Sequence, residues 1–226
     1  VVNELYSCKL GDFKNWNVFM GISTDSYAVS LGSDGQFTGA ITHAGQPLFF
    51  KENCLHKVYG QIPANFQVQT TACRGVQKGC SRSLAIVNEI LFYKARHAVC
   101  SYDGSLPVEA SAALGEERYE KAVAAAHGNK YYISMTKTGT GERRLFVYDM
   151  AKGMWHVEDD LPAYLFCSCR DELYCATEDN RIVAMLGSGE QYEETVPWMF
   201  ETGILGASLP DKKYLVLQAT SVGLYP

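Results

Sequence analysis

The chain has 226 residues, 47% of them hydrophobic and 20% charged, a length and composition that can bury a core and that exclude a disordered polymer. Twenty Lys and Arg are outnumbered by 25 Asp and Glu, and the formal charge of −5 argues against an affinity built by neutralising many phosphates at once. No apolar stretch approaches the roughly 18 residues that a membrane-spanning helix needs, while 12% aromatics and 20 Gly favour strands joined by tight turns.

The chain opens Val1-Val2-Asn3-Glu4, with no Met and no charged segment ahead of an apolar run, so the expectation is a cut end and no secretory signal. Residues 2–8, followed by Gly11-Asp12 and Asn15-Trp16-Asn17, read as the late half of a β unit whose front half is absent. Four similar units then follow, each an apolar strand, a short turn, an aromatic-rich strand, a second turn and a third strand. The first covers 37–59, with turns at Ala44-Gly45-Gln46 and Lys51-Glu52-Asn53. The second covers 84–110, with turns at Asn88-Glu89, Ala95-Arg96-His97 and Asp103-Gly104-Ser105. The third covers 122–157, with turns at Gly128-Asn129, 139–141 and Ala151-Lys152-Gly153. The fourth covers 164–185, with turns at Arg170-Asp171 and Glu178-Asp179-Asn180.

One segment conflicts with this plan. Glu117 and Lys121 stand four apart, an alanine run follows, and Gly128 could cap a helix. The register of the repeat outweighs that propensity and predicts at most a helical turn over 116–120, then a strand. Beyond the fourth unit, 198–201 and 213–219 read as further strands that could complete the split first unit.

First strands near 38, 84, 122 and 164 give a spacing of about 42 residues, the length of a β-propeller blade of four short antiparallel strands. The fold expected is therefore all-β, a single propeller domain over 1–226 of about five blades, with four to six as the range. Strands from both termini would close the ring and remove two exposed edges. Small residues at Gly39, Ala40, Ala85, Ala122, Ala124, Ala126, Ala163 and Ser168 suit inner strands that crowd a central axis.

The chemistry-bearing residues form no catalytic signature. Cysteines 8, 54, 73, 80, 100, 167, 169 and 175 include no Cys-x-x-Cys, and Cys167-Ser168-Cys169 would set two thiols on one side of a strand; free, mostly buried thiols are expected. Cys54-Leu55-His56 and His97-x-x-Cys100 lack the paired spacing of a zinc site. Glu158-Asp159-Asp160, Asp171-Glu172 and Glu178-Asp179 fall at predicted turns, where solvation explains them better than glycoside hydrolysis. The five histidines stand singly beside turns, and no Gly-x-Ser-x-Gly or phosphate loop is present. No catalytic, cofactor or metal residue is expected. Arg74, Lys78 and Arg82, four apart in a glycine-containing connection, are the candidate interaction site, for a neighbouring subunit or, less supported by net charge, nucleic acid. Trp16, Trp155 and Trp198 are read either as interface anchors or as packing between blades.

Several stretches carry a resemblance: His56-Lys57-Val58-Tyr59-Gly60; Arg74-Gly75-Val76-Gln77-Lys78-Gly79 with Ser83-Leu84-Ala85-Ile86-Val87; and Ser101-Tyr102-Asp103-Gly104-Ser105-Leu106-Pro107. With Gly11-Asp12-Phe13-Lys14-Asn15-Trp16, Lys130-Tyr131-Tyr132-Ile133-Ser134-Met135, Val147-Tyr148-Asp149 and Trp155-His156, they span most of the chain and resemble phage and prophage β-propeller proteins, nearest to prophage proteins of Gram-positive gut bacteria. More distantly the chain looks like packaged-DNA-stabilisation or head-completion proteins of short-tailed phages, a likeness of fold alone. The resemblance implies a non-enzymatic virion structural or assembly protein at the head–tail junction or tail. Its partners would be other phage structural proteins or copies of itself in a ring, with no membrane, and its location the bacterial cytoplasm during assembly and then the virion. It also implies further sequence on either side. The alternatives are a propeller interaction scaffold or carbohydrate-binding module and, behind these, a glycan-active enzyme.

Overall fold

The computed structural model describes residues 3–185; the expected strands at 198–201 and 213–219, and any closure they provide, lie outside the described residues. The described chain is all-β, with five antiparallel sheets met one after another along the sequence. β1 (Glu4–Ser7) pairs β2 (Tyr27–Ser30). β3 (Gly39–His43), β4 (Gln46–Phe50), β5 (Cys54–Tyr59) and β6 (Gln67–Ala72) form a four-stranded meander. Two more meanders follow, β7 (Ala85–Val87), β8 (Ile90–Lys94), β9 (Val99–Tyr102) and β10 (Val108–Glu109), then β11 (Tyr119–His127), β12 (Lys130–Lys137), β13 (Arg143–Asp149) and β14 (Met154–Asp159). The last sheet is three-stranded, from β15 (Ala163–Cys169), β16 (Glu172–Thr177) and β17 (Ile182–Ala184).

The first hairpin of each later sheet turns on two residues, and the sequence provides the backbone it needs. Ala44-Gly45, Asn88-Glu89 and Arg170-Asp171 all have positive φ at both positions, the twist that matches strand twist in a two-residue hairpin. Only Gly45 takes that conformation without a Cβ penalty. The turns of neighbouring sheets touch: His43 Nε2 lies 2.7 Å from the Glu89 carbonyl, and Asn88 Nδ2 donates to Asn129 Oδ1 at 3.1 Å. The first strands also run side by side, β7 beside β11 and β11 beside β15, so successive sheets stack in the same sense. Ala122 and Ala163, buried at that crossing, keep the backbones close, as the small residues suggest. Ala40 and Ser168 are exposed instead.

Alternation fixes which sheet is buried on both faces. Along β11 to β13, Ala122, Tyr131, Ile133, Met135 and Phe146 face the β7–β10 sheet, while Val123, Tyr132, Leu145 and Val147 face Phe166, Leu173 and Cys175 of the last sheet. Aromatic pairs tie the layers, with Phe50 and Tyr93 centroids 4.9 Å apart and Phe92 and Tyr131 5.1 Å apart. The ambiguous segment is strand from Tyr119, preceded only by a short 3-10 turn at Ala112–Leu114. A β-bulge between Glu120 and Val123, with Lys121 at φ 51°, lets this strand bend where it passes from one neighbour to the next. Tertiary burial of alternate residues thus overrides the helical preference of the alanine run.

Residues 3–8 and the Trp16 region depart from the expected half-unit. The two strands of the first sheet are not joined by a short turn but by a long connection, in which only Lys9 and Asp12 make an isolated bridge and Ser23–Asp25 a 3-10 turn. The cysteines are all free, but only Cys54, Cys80, Cys100 and Cys175 are buried; Cys8 and Cys73 are half-buried. Cys167 and Cys169 are exposed because their side of β15 faces away from the core that holds Phe166.

Candidate functional site: an apolar connection between β1 and β2

The three basic residues go to separate tasks. Arg74 Nη1 pairs with Glu109 Oε2 at 2.7 Å, linking the connection after β6 to β10, and its carbonyl accepts a 2.5 Å bond from Tyr93. Arg82 reaches the fourth later sheet, donating to the Tyr164 carbonyl at 3.1 Å and lying 4.3 Å over its ring. Lys78 is exposed, and its backbone N–H donates to Glu52 Oε1 at 3.2 Å. Two of the three basic side chains therefore fasten neighbouring strands, a use invisible in sequence because Glu109 and Tyr164 are distant along the chain.

The acidic runs likewise divide among local partners. Glu158 lies 2.9 Å from His156 Nε2, Asp179 accepts from Arg181 at 2.6 Å, and Glu178 pairs with Arg143. Hydrogen bonds from Thr177 and Arg181 hold the Asp179 carboxyl below the usual carboxylate range. Among the described residues, no three His, Cys, Asp or Glu side chains gather in a way that could hold a metal ion. His56 is enclosed by Thr70 Oγ1 at 2.8 Å and Ser33 Oγ at 3.0 Å, and burial, helped by the Lys51 charge, lowers its pKa.

Two lysines missed by sequence reasoning are buried at strand ends. Lys51 donates to Asn3 Oδ1 at 2.7 Å and the Ser33 carbonyl at 2.6 Å, with its ammonium 5.3 Å over Phe37. It thereby ties the N-terminal strand region to the second sheet. Lys94 donates to Gln77 Oε1 at 3.0 Å and to the Ala95 carbonyl at 2.5 Å, and burial pushes its pKa down to about 8. Both follow an aromatic pair, Phe49-Phe50 and Phe92-Tyr93, which was the available signal.

The feature that stands apart is the connection between β1 and β2. Leu10, Phe13, Trp16, Phe19, Met20 and Ile22 are all exposed there, Phe19 to 91% and Phe13 to 73%. Hydrogen bonds hold this segment in place. Lys9 is buried beneath it, donating to Ser26 Oγ at 3.0 Å and the Ile22 carbonyl at 3.3 Å, and its N–H donates to the Asn15 carbonyl at 2.8 Å. Asp12, Asn15 and Asn17 each accept from the N–H two residues on, at 3.1 to 3.2 Å, the turn chemistry of short polar side chains. Leu10 and Phe13 line a cleft of about 410 Å³ against Pro63 and Phe66; Phe19 lines another of about 370 Å³ with Tyr27 and Pro63. Of the three tryptophans, Trp155 packs between sheets, donating to the Ala110 carbonyl at 2.7 Å, Trp16 is exposed, and Trp198 lies outside the described residues. No protein-family model matches this chain, and none of the curated proteins matches it.

Proposed function

We propose that this protein is a β-propeller that serves as a non-enzymatic structural or assembly component of a phage particle, at the head–tail junction or tail, and that the β1–β2 connection is its contact with a neighbouring protein subunit. The observation that carries the reading is the set of exposed apolar side chains between Leu10 and Ile22 on a backbone already ordered by its own hydrogen bonds. A preordered apolar surface loses little conformational freedom on binding, and aromatic anchors dominate the energetics of protein interfaces. Three consecutive four-stranded meanders with touching first hairpins support the propeller. The scattering of acids into separate ion pairs supports contact over catalysis.

The test is co-sedimentation with tailed particles after prophage induction, for the wild-type protein and for a Trp16→Ser, Phe19→Ser variant. Wild-type protein in stoichiometric amounts, with the variant left soluble in the lysate, is the expected result. Particles complete without the protein, while it stays soluble and abundant, would overturn the virion reading and favour the free scaffold or glycan-binding alternative.

A further inference from the structure

A sheet's outermost strand carries unpaired N–H and C=O groups, and proteins protect it by making it short, charged, bulged or proline-bearing. Most outer strands here are protected in this way. β10 has two residues, one of them Glu109, and follows Pro107. β17 has three. β14 has six, but its register with β13 is broken at Leu145/Phe146 and it carries His156 and Glu158. β1 and β2 have four each, with Glu4 on β1.

β6 has none of these devices. Gln67-Val68-Gln69-Thr70-Thr71-Ala72 contains no charge and no proline, and it pairs β5 in unbroken register along all six residues. Among the described residues, no backbone hydrogen bond reaches its outer side. Half of its residues, alternating along the strand, therefore present both N–H and C=O to an edge that has no backbone partner among the described residues.

We infer that β6 is an interface with a second copy of this chain, the two β6 strands pairing antiparallel across a two-fold axis to join their four-stranded sheets into one. The strand is complementary to itself. With Gln69 on the axis, Val68 faces Thr70 of the second copy and Gln67 faces Thr71; with Thr70 on the axis, Gln69 faces Thr71 and Val68 faces Ala72. Neither register opposes like charges or buries an ionised group, and Thr and Gln side chains can bond across the strands. A charged peptide would find no counter-charge on this strand, whereas a second copy brings the same neutral strand, and two-fold homodimers are the commonest closed assembly.

The experiment is light-scattering mass measurement of the full chain on a sizing column across the micromolar range. A dimer at twice 25.0 kDa is expected. Gln67→Lys with Gln69→Lys, both exposed and on one side of the strand, gathers the added lysines of both copies at the new seam and should halve the mass with the circular dichroism of the fold retained; Gln69 stands opposite Lys57 on β5, so the lysine variant should melt somewhat lower while the corresponding glutamate variant should not. Mixing that variant with Gln67→Glu, Gln69→Glu should restore the doubled mass, an outcome that misfolding cannot produce. A wild type of 25.0 kDa at every concentration, or a dimer that the lysine pair leaves intact, would overturn the inference. Particle incorporation is read separately, so failure here leaves the reading of the β1–β2 connection standing.

Discussion

Replacing Lys94 with Met keeps the length of the buried stem and removes the only group at that position that titrates. The Lys94 ammonium sits among neutral oxygens of Gln77, Ala95 and Arg96, and burial lowers its pKa from 10.5 to about 8. Between those values the unfolded chain holds a proton that the folded chain has released, so the contribution of this residue to stability rises with pH across that window. Below pH 8 the folded state carries a penalty of about 3 kcal/mol for keeping the amine charged, and the penalty fades as pH approaches 10.5. From about pH 7 to about pH 9 the wild type should gain about 1 kcal/mol relative to Lys94→Met. Buried groups such as Cys73 and Tyr119, pushed up to about 11 and about 12, weaken the folded state at alkaline pH, but they do so in both proteins and largely drop out of the difference. Urea unfolding followed by circular dichroism, with a reductant present, measures that difference at each pH. Two stability profiles that stay parallel within about 0.3 kcal/mol would refute the assignment of a depressed pKa to this amine.

Four further outcomes follow from named contacts. A Cβ added at Gly75 would stand 1.8 Å from the Lys51 carbonyl oxygen, so Gly75→Ala should cost about 3 kcal/mol or more in urea unfolding, or leave the protein insoluble. Glu89→Gly keeps the carbonyl that meets His43 and removes a Cβ from a left-handed position, and should raise stability by about 0.5 to 1 kcal/mol, read as a higher melting temperature. Trp155→Phe leaves the Ala110 carbonyl without its indole donor and should lower stability by about 1 to 2 kcal/mol. Maleimide mapping by mass spectrometry should find Cys167 and Cys169 modified first, and Cys54, Cys80, Cys100 and Cys175 only on unfolding; labelling in the reverse order would contradict the facing of β15.

Strand content and order were legible because hydrophobic alternation and turn chemistry are local properties. The turns expected at Asn88-Glu89, Gly128-Asn129 and Arg170-Asp171 fall between the strands as read, and the three-residue turn expected at Ala44-Gly45-Gln46 is shorter by one because Gln46 joins β4. The fourth strand of the first meander, β6, was missed because Gln67-Val68-Gln69-Thr70-Thr71-Ala72 alternates weakly; it is an edge with no face fully buried. The fate of the charged residues was not legible. Whether Arg82 meets solvent or Tyr164, and whether Lys51 meets water or Asn3, depends on which sheets stack, a long-range property that spacing does not encode. The apolar connection is an instructive middle case. Trp16 reads as an interface anchor or as packing between blades, but the Phe and Met residues beside it are passed over because the segment is expected to form part of a β unit, and only the Asx turns at Asp12, Asn15 and Asn17 argue locally for a connection.

Every sheet after the first is drawn from one unbroken stretch of chain, each closing on itself before the next begins. On the ribosome, the β3–β6 meander can therefore complete all its ladder bonds while the later sheets are still unmade, and each new meander finds a finished surface to settle on. Loop closure then costs little at each step, because partners are separated by tens of residues at most. Loss of structure should run the same course backwards. In native-state hydrogen exchange, amides of β8 and β12, central in sheets flanked on both sides, would outlast those of β16 and β17, so that opening starts in one sheet instead of everywhere at once.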